Sequence, residues 1–227
     1  PMKKILFLFA PLLLLVTSCK PDKLQEGEIE YAITYPNSEI SGFMQAILPE
    51  TMTITFKGTK MKTTIARGEI FTTEIISDEA DRSIEMRLDF GASLLYANCN
   101  ENEVQELISS QPEYKVKALG ASDSLAGMYS TSYSIEGAND TITRSDAWFT
   151  EDLIMTDAYW FTPYADTKGT PVIYDAERYG MMMHIEAVKI TKREVLDTEF
   201  DRDPELVEVT FEDYEKEVQA LFDLLMD

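Results

Sequence analysis

The sequence predicts an α+β fold: a strongly curved antiparallel β-sheet, a half-barrel, with a short internal helix and a C-terminal amphipathic helix. Three observations lead there. Apolar and polar residues alternate with period two in run after run between residues 28 and 192. Two segments, one after residue 100 and one after residue 210, switch to helical spacing. No linker rich in Gly, Ser or Pro and no internal repeat divides residues 28–210, so 28–227 reads as a single domain. A long antiparallel sheet with one apolar face curls, and that face must be covered, by helices or by a ligand.

Residues 1–18 stand outside this pattern. Lys3 and Lys4 precede an apolar run, Ile5 to Val16, interrupted only by Ala10 and Pro11. A short positive region before an apolar core is what a secretory signal needs. The run falls short of the roughly 20 apolar residues that span a bilayer. It ends in Val16-Thr17-Ser18-Cys19, which resembles the lipobox of bacterial lipoproteins. The resemblance implies cleavage before Cys19, diacylglycerol on its thiol and an acyl group on its new amino terminus. The other reading is an ordinary signal peptide with an incidental cysteine. On the lipoprotein reading, 1–18 is the signal peptide and 19–27 is the lipidated cysteine with a polar tether. The membrane is then a partner through that lipid. The expected place is the bacterial cell envelope, on the periplasmic or surface face of the outer membrane.

The elements follow in chain order. Ile29, Tyr31, Ile33 and Tyr35 share one face of a first strand, and Met52, Ile54 and Phe56 share one face of a second. Gly58-Thr59 reads as a tight connection into Met61, Thr63 and Ile65. Segments 69–77 and 83–90 continue the meander, the latter with Ile84, Met86, Leu88 and Phe90 inward. Further strands are expected at 93–98, 114–119, 128–136, 141–149, 153–161, 171–178 and 181–192. Asn100 with Glu103 forms a capping pattern before Val104, Leu107 and Ile108, for a short helix ending before Pro112. Phe211, Tyr214, Val218, Leu221, Phe222 and Leu225 recur at helical spacing, for a terminal helix over 210–226 whose apolar stripe needs a partner surface.

Composition excludes several classes. The formal net charge is −21, so phosphate backbones and anionic surfaces repel the chain and no nucleic-acid partner is expected. Acidic charge also keeps a tethered protein soluble, and a monomer is expected. Once Cys19 is lipidated only Cys99 remains; one thiol makes no internal disulfide, and no CxxC accompanies it. His184 is the one histidine, inside strand-like "MMMHIEA", so neither a His-rich zinc site nor a typical triad with a Gly-x-Ser-x-Gly elbow is available. No phosphate-binding glycine loop appears, no cofactor is expected, and the chain reads as non-enzymatic. Carboxylate pairs are easy to draw among 41 acidic residues and impossible to rank.

One run has the spacing of a calcium loop. In "DTEFDRDPELVE", Asp197, Glu199, Asp201, Asp203, Glu205 and Glu208 fall at positions 1, 3, 5, 7, 9 and 12. Arg202 stands where the loop needs Gly, however, Pro204 stiffens its middle, and strand rather than helix precedes it. No resident metal is therefore assigned, and Asp197, Glu199, Asp201 and Asp203 are the candidates if one binds.

"LAGMYSTSYSI" (125–135) resembles the "IAGYKCKKYEV" pattern of an uncharacterised group of Bacteroidetes envelope proteins. "DAWFTEDL" (146–153) resembles the strand that follows it there, and its AWFT wording is similar to the GLPGLI family. "KGTPVIYD", "MMMHIEAVKITKREV" and Phe200 resemble that group's closing strands and final corner. The resemblance implies a fold like the LolA and LolB half-barrels, which carry lipoproteins or lipids in an apolar cavity. Ser130 stands where those relatives often have cysteine. Met52, Ile54, Phe56, Met86, Leu88 and Phe90 are then the expected cavity lining, and the Met181–Met183 run would adapt to a ligand; plain core packing explains the same residues. "DSL" and "DTI" resemble Asp-Ser/Thr-apolar O-glycosylation sites, which makes Ser124 and Thr141 candidates. The expected function is binding or carrying a lipid or acyl chain in the sheet's concavity, gated by the 39–48 segment or a helix. The alternative is a non-catalytic envelope scaffold with a self-filled core.

Overall fold

The computed structural model describes residues 23–36, 46–137, 143–155, 157–178 and 181–226. The leader, Cys19, Thr141 and most of the 39–48 segment lie outside the described residues. The described strands are β1 (Glu26–Thr34), β2 (Thr51–Lys57), β3 (Lys60–Arg67), β4 (Phe71–Asp78), β5 (Ser83–Phe90), β6 (Ser93–Cys99), β7 (Tyr114–Leu125), β8 (Met128–Gly137), β9 (Thr143–Thr150), β10 (Thr170–Arg178), β11 (Met181–Thr191) and β12 (Val207–Glu208). They join in one open sheet of order β12-β6-β5-β4-β3-β2-β1-β11-β10-β9-β8-β7. β12 lies parallel to β6; the other pairings between these strands are antiparallel. Helices α1 (Glu101–Ser109) and α2 (Phe211–Met226) complete an α+β fold.

Alternation in sequence becomes one continuous apolar face through the register. Tyr31 lies beside Met52, Met52 beside Ile65, Ile75 beside Met86, and Met86 beside Ala97. A slip of one residue in any pair would turn a whole strand's apolar set to solvent, so the face fixes the register. Met52, Ile54, Phe56, Met86 and Leu88 are buried and Phe90 half-buried. Each fully buried side chain of this size contributes about 1.5–3 kcal/mol. Gly58 turns β2 into β3 with φ of 58°, a left-handed backbone that suits glycine.

The α1 cap forms as the spacing requires. The Asn100 side chain accepts from the N–H groups of Asn102 (3.0 Å) and Glu103 (3.2 Å), while Glu103 accepts from the Asn100 N–H (2.8 Å). Val104 and Leu107 are its buried residues.

Three expectations change. The described residues of 153–161 do not form a strand. Successive turns run through them, with Trp160, Thr162, Ala165 and Thr167 donating backbone N–H groups to carbonyls three residues earlier. Their apolar residues (Leu153, Met155, Ala158, Tyr159 and Phe161) are buried as core filler, without the period of a strand. β7 does not stop at residue 119: after a bulge between Ala118 and Ser122, opposite Ser132, its ladder with β8 resumes to Leu125. The acidic run 197–208 is a one-turn 3₁₀ helix (Asp197–Phe200) followed by an extended strap and β12.

That strap crosses the polar face of the sheet. Lys57 holds Asp197 at 2.8 Å, and Arg193 holds Glu28 at 2.9 Å and Glu199 at 2.7 Å. Arg87, buried, donates to the carbonyls of Phe200 (2.7 Å) and Asp201 (3.0 Å) and to Glu74 (3.1 Å) and Glu85 (2.6 Å). Arg202 reaches Glu85 and stacks 3.4 Å from the centroid of the Tyr96 ring. Burial alone would lift Glu85, yet the hydrogen bonds from Arg202 and Arg87 outweigh it and hold its carboxyl below the usual value. The chain then rounds the β6 edge, and α2 lies over the apolar face, the Tyr214 hydroxyl donating to the Arg87 carbonyl at 3.1 Å.

Candidate functional site: an apolar slot under the terminal helix

Two covers share the apolar face. Over β8–β11 and β1 lies the 151–169 segment, tied in by aromatic contacts: Tyr164 lies 5.6 Å from both Phe149 and Tyr174, and Tyr174 lies 6.3 Å from Tyr31. Such pairs contribute about 0.5–1.5 kcal/mol beyond their buried area. Over β3–β6 lies α2, whose Phe211, Tyr214, Val218 and Leu221 are buried at the 3–4 residue spacing of one helix face. Between α2 and the sheet an apolar slot of about 70 Å³ remains.

Its walls come from distant parts of the chain. β3 and β4 supply Ile65, Phe71 and Ile75, β11 supplies Met181 and Met183, and α2 supplies Val218 and Phe222. Tyr35 and Pro49 close one end, joined by a hydrogen bond from the Tyr35 hydroxyl to the Pro49 carbonyl at 2.8 Å. Burial raises the Tyr35 phenol, with Arg67 opposing and Glu50 assisting, so it stays neutral and brings no charge to the slot.

The six residues expected to line a cavity are on this apolar face but line no part of the slot. They pack as core instead, and Leu88 also borders the polar cleft beneath the strap. The sequence signal for the slot lies in Met181 and Met183, already notable as a Met run, and in the helical stripe of α2. Tyr35 and Ile65 were marked only as members of an apolar strand face and Phe71 carried no mark, because the slot joins strands that are distant in sequence.

The other candidates are placed as follows. Asp197 and Glu199 are taken by Lys57 and Arg193. Arg193 and the Leu196 N–H hold the Glu199 carboxyl down to about 2. Among the described residues no three His, Cys, Asp or Glu side chains converge as metal ligands. A polar cleft of about 440 Å³ lies between the strap and the sheet, with Lys62, Arg87, Asp89, Asp201, Asp203 and Glu205 on its walls. Its cations Lys62 and Arg87 are paired with Glu74. His184 meets Asp175 at 3.0 Å across β10 and β11. Ser130 is buried and donates to the Met128 carbonyl. Cys99 is half-buried, its thiol pushed up to about 12 by burial and by the charges of Glu103 and Glu215. Ser124 is exposed on β7, next to the Asp123 carboxylate that accepts its backbone N–H at 2.7 Å.

No family model matches the chain, and a comparison with curated proteins finds no match. The likeness to GLPGLI proteins therefore rests on the short motifs alone. Among solved structures the chain is similar to a LolA superfamily protein from Nitrosomonas europaea, with 11% identity, 79% of this chain and 91% of that chain covered, and a TM-score of 0.23. That likeness is too loose to place the chain in the family.

Proposed function

We propose that this chain is a non-catalytic lipoprotein of the bacterial envelope, anchored through Cys19, that takes the end of a hydrophobic ligand such as an acyl chain beneath α2. The observation that supports it is the slot itself: an apolar, uncharged opening between a sheet face and a helix, with two adaptable methionines on one wall. Met181 on β11 and Phe71 on β4, separated in the sheet by β1, β2 and β3, line the same opening, which supports a curled, half-barrel sheet. About 70 Å³ is far below the roughly 300 Å³ at which ligand pockets begin, so a whole acyl chain enters only as α2 moves off the sheet. The helix is then both occupant and gate, its Val218 and Phe222 standing where ligand methylenes would lie.

The second reading, a scaffold with a self-filled core, has its own supporting observation. The 151–169 segment and α2 already occupy most of the apolar face with the protein's own side chains. Native mass spectrometry of the gently purified chain from residue 20 separates the two. Co-purified lipid mass supports the carrier; a bare mass under gentle ionisation supports the scaffold. For the anchor, Cys19→Ala should leave the precursor unprocessed, and normal processing would remove the lipoprotein reading.

A further inference from the structure

We propose that the rim of the domain from which the tether emerges rests on a zwitterionic lipid surface, with Tyr129 and Leu196 seated among the headgroups. This rests on the reading of Cys19 as the lipid-bearing residue. Chain length sets which end of the sheet faces the membrane. The Leu24 N–H donates to the Asp152 carbonyl at 2.9 Å, the Ile154 N–H donates to the Leu24 carbonyl at 3.0 Å, and the Gly58 N–H donates to the Gln25 carbonyl at 3.0 Å. From Leu24 onward the backbone is thus fixed to the fold. The five residue steps from Cys19 to Leu24 reach at most about 18 Å at roughly 3.6 Å each. β1 has 9 residues and stands about 30 Å tall at roughly 3.3 Å per residue. The tether is shorter than the domain is high, so the end of the sheet that holds Leu24 is the end nearest the membrane.

That end gathers the start of β1, the β2–β3 and β7–β8 turns and the residues just after β9 and β11, as the strand registers require. Among the described residues, two of the most exposed large apolar side chains stand here: Tyr129 at 63% and Leu196 at 57%. Both are tied to the tether's attachment point. The Tyr129 N–H donates to the Asp152 carboxylate, whose backbone carbonyl holds Leu24, and the Val195 N–H donates to Glu26 at 3.1 Å. An amphipathic tyrosine and an aliphatic residue suit the headgroup layer, where one end of a side chain is apolar and the other wet. Charge selects the lipid. Lys57 is already paired with Asp197, the rim's exposed Lys60 and Lys192 are matched by Asp152 and Glu194, and the chain as a whole carries −21, so an anionic surface would repel it.

The test uses the full lipidated protein, purified in detergent and reconstituted into phosphatidylcholine vesicles that carry a nitroxide lipid. In a Cys99→Ala background, single cysteines at Tyr129→Cys, Leu196→Cys and Ile70→Cys carry a small fluorophore. Ile70, 44% exposed, sits in the β3–β4 turn at the opposite rim and serves as the control. The expected result is at least threefold stronger quenching at 129 and 196 than at 70, reduced when a third of the lipid is phosphatidylglycerol. Equal quenching at all three positions, on protein that floats with the vesicles and bears lipid on Cys19, overturns the inference alone. Shielding at 129 and 196 that appears only at high protein-to-lipid ratio also overturns it, since a second copy then covers the rim. A chain that bears no lipid on Cys19 and fails to float overturns the inference together with the reading beneath it.

Discussion

Arg87 joins the strap to the sheet, and replacing it with methionine gives the sharpest test of how the two polar layers are held. The guanidinium is buried and makes four hydrogen bonds, two to carboxylates and two to the Phe200 and Asp201 carbonyls. Removing one member of a buried charged network costs about 3–5 kcal/mol, chiefly because its partners are left unpaired. Here the cost falls at the lower end. Glu85 keeps Arg202, and Glu74 keeps Lys62 at 3.3 Å, so neither carboxylate is stranded. What remains is the loss of two charge-assisted bonds, one to the buried Phe200 carbonyl and one to the part-buried Asp201 carbonyl, at about 1.5 kcal/mol each. The expected loss is therefore about 3 kcal/mol. With a urea slope of about 2 kcal/mol per molar, the unfolding midpoint drops by roughly 1.5 M. Arg87→Lys should recover only part of this, because a single ammonium cannot reproduce the fork of donors. A midpoint shift below about 0.5 M for Arg87→Met, at unchanged slope, would refute the reasoning.

Three further outcomes follow from the geometry. Gly169 has φ of 91°, and a Cβ there would stand 2.2 Å from the Thr150 carbonyl oxygen, so Gly169→Ala should cost about 3 kcal/mol or more in chemical denaturation; a loss under 1 kcal/mol would contradict the close approach of β9 and β10. With its thiol held near 12, Cys99 should react with iodoacetamide at pH 8 about a hundredfold more slowly in the folded chain than in urea, and equal rates would contradict the burial. Glu199 is depressed to about 2 by Arg193 and the Leu196 N–H. Its stabilisation is complete above its ordinary value near 4.5 and is lost as pH falls toward 2, so wild type should lose stability over that window more steeply than Glu199→Gln, and parallel curves would contradict the pairing.

Much of the sheet was legible because one-faced strands write their period into the sequence. Ile29-Tyr31-Ile33 and Ile84-Met86-Leu88 each name their buried face, and the Asn100–Glu103 pair announces α1 one residue ahead of it. The terminal helix was legible for the same reason at a different period. The 153–161 segment misled because tyrosine, tryptophan and phenylalanine favour strands, while here those rings are spent filling the sheet's apolar side. The strap was read through its acidic spacing, yet those carboxylates meet cations rather than a metal: Asp197 faces Lys57, 140 residues away in sequence, and Glu199 faces Arg193. The slot was legible only in part. Its methionines and its helix stripe were visible, but Phe71 and Tyr35 join them through sheet order, which local pattern does not encode.

The central claim is that an acyl chain can enter beneath α2. Titrating the chain from residue 20 with a fluorescent long-chain fatty acid tests it most directly, alongside Met183→Trp, which fills the slot from a half-buried position. The account predicts saturable one-to-one binding by wild type, weakened at least tenfold in Met183→Trp at an unchanged melting temperature. Absence of saturable binding, or equal binding by the filled variant, would contradict it.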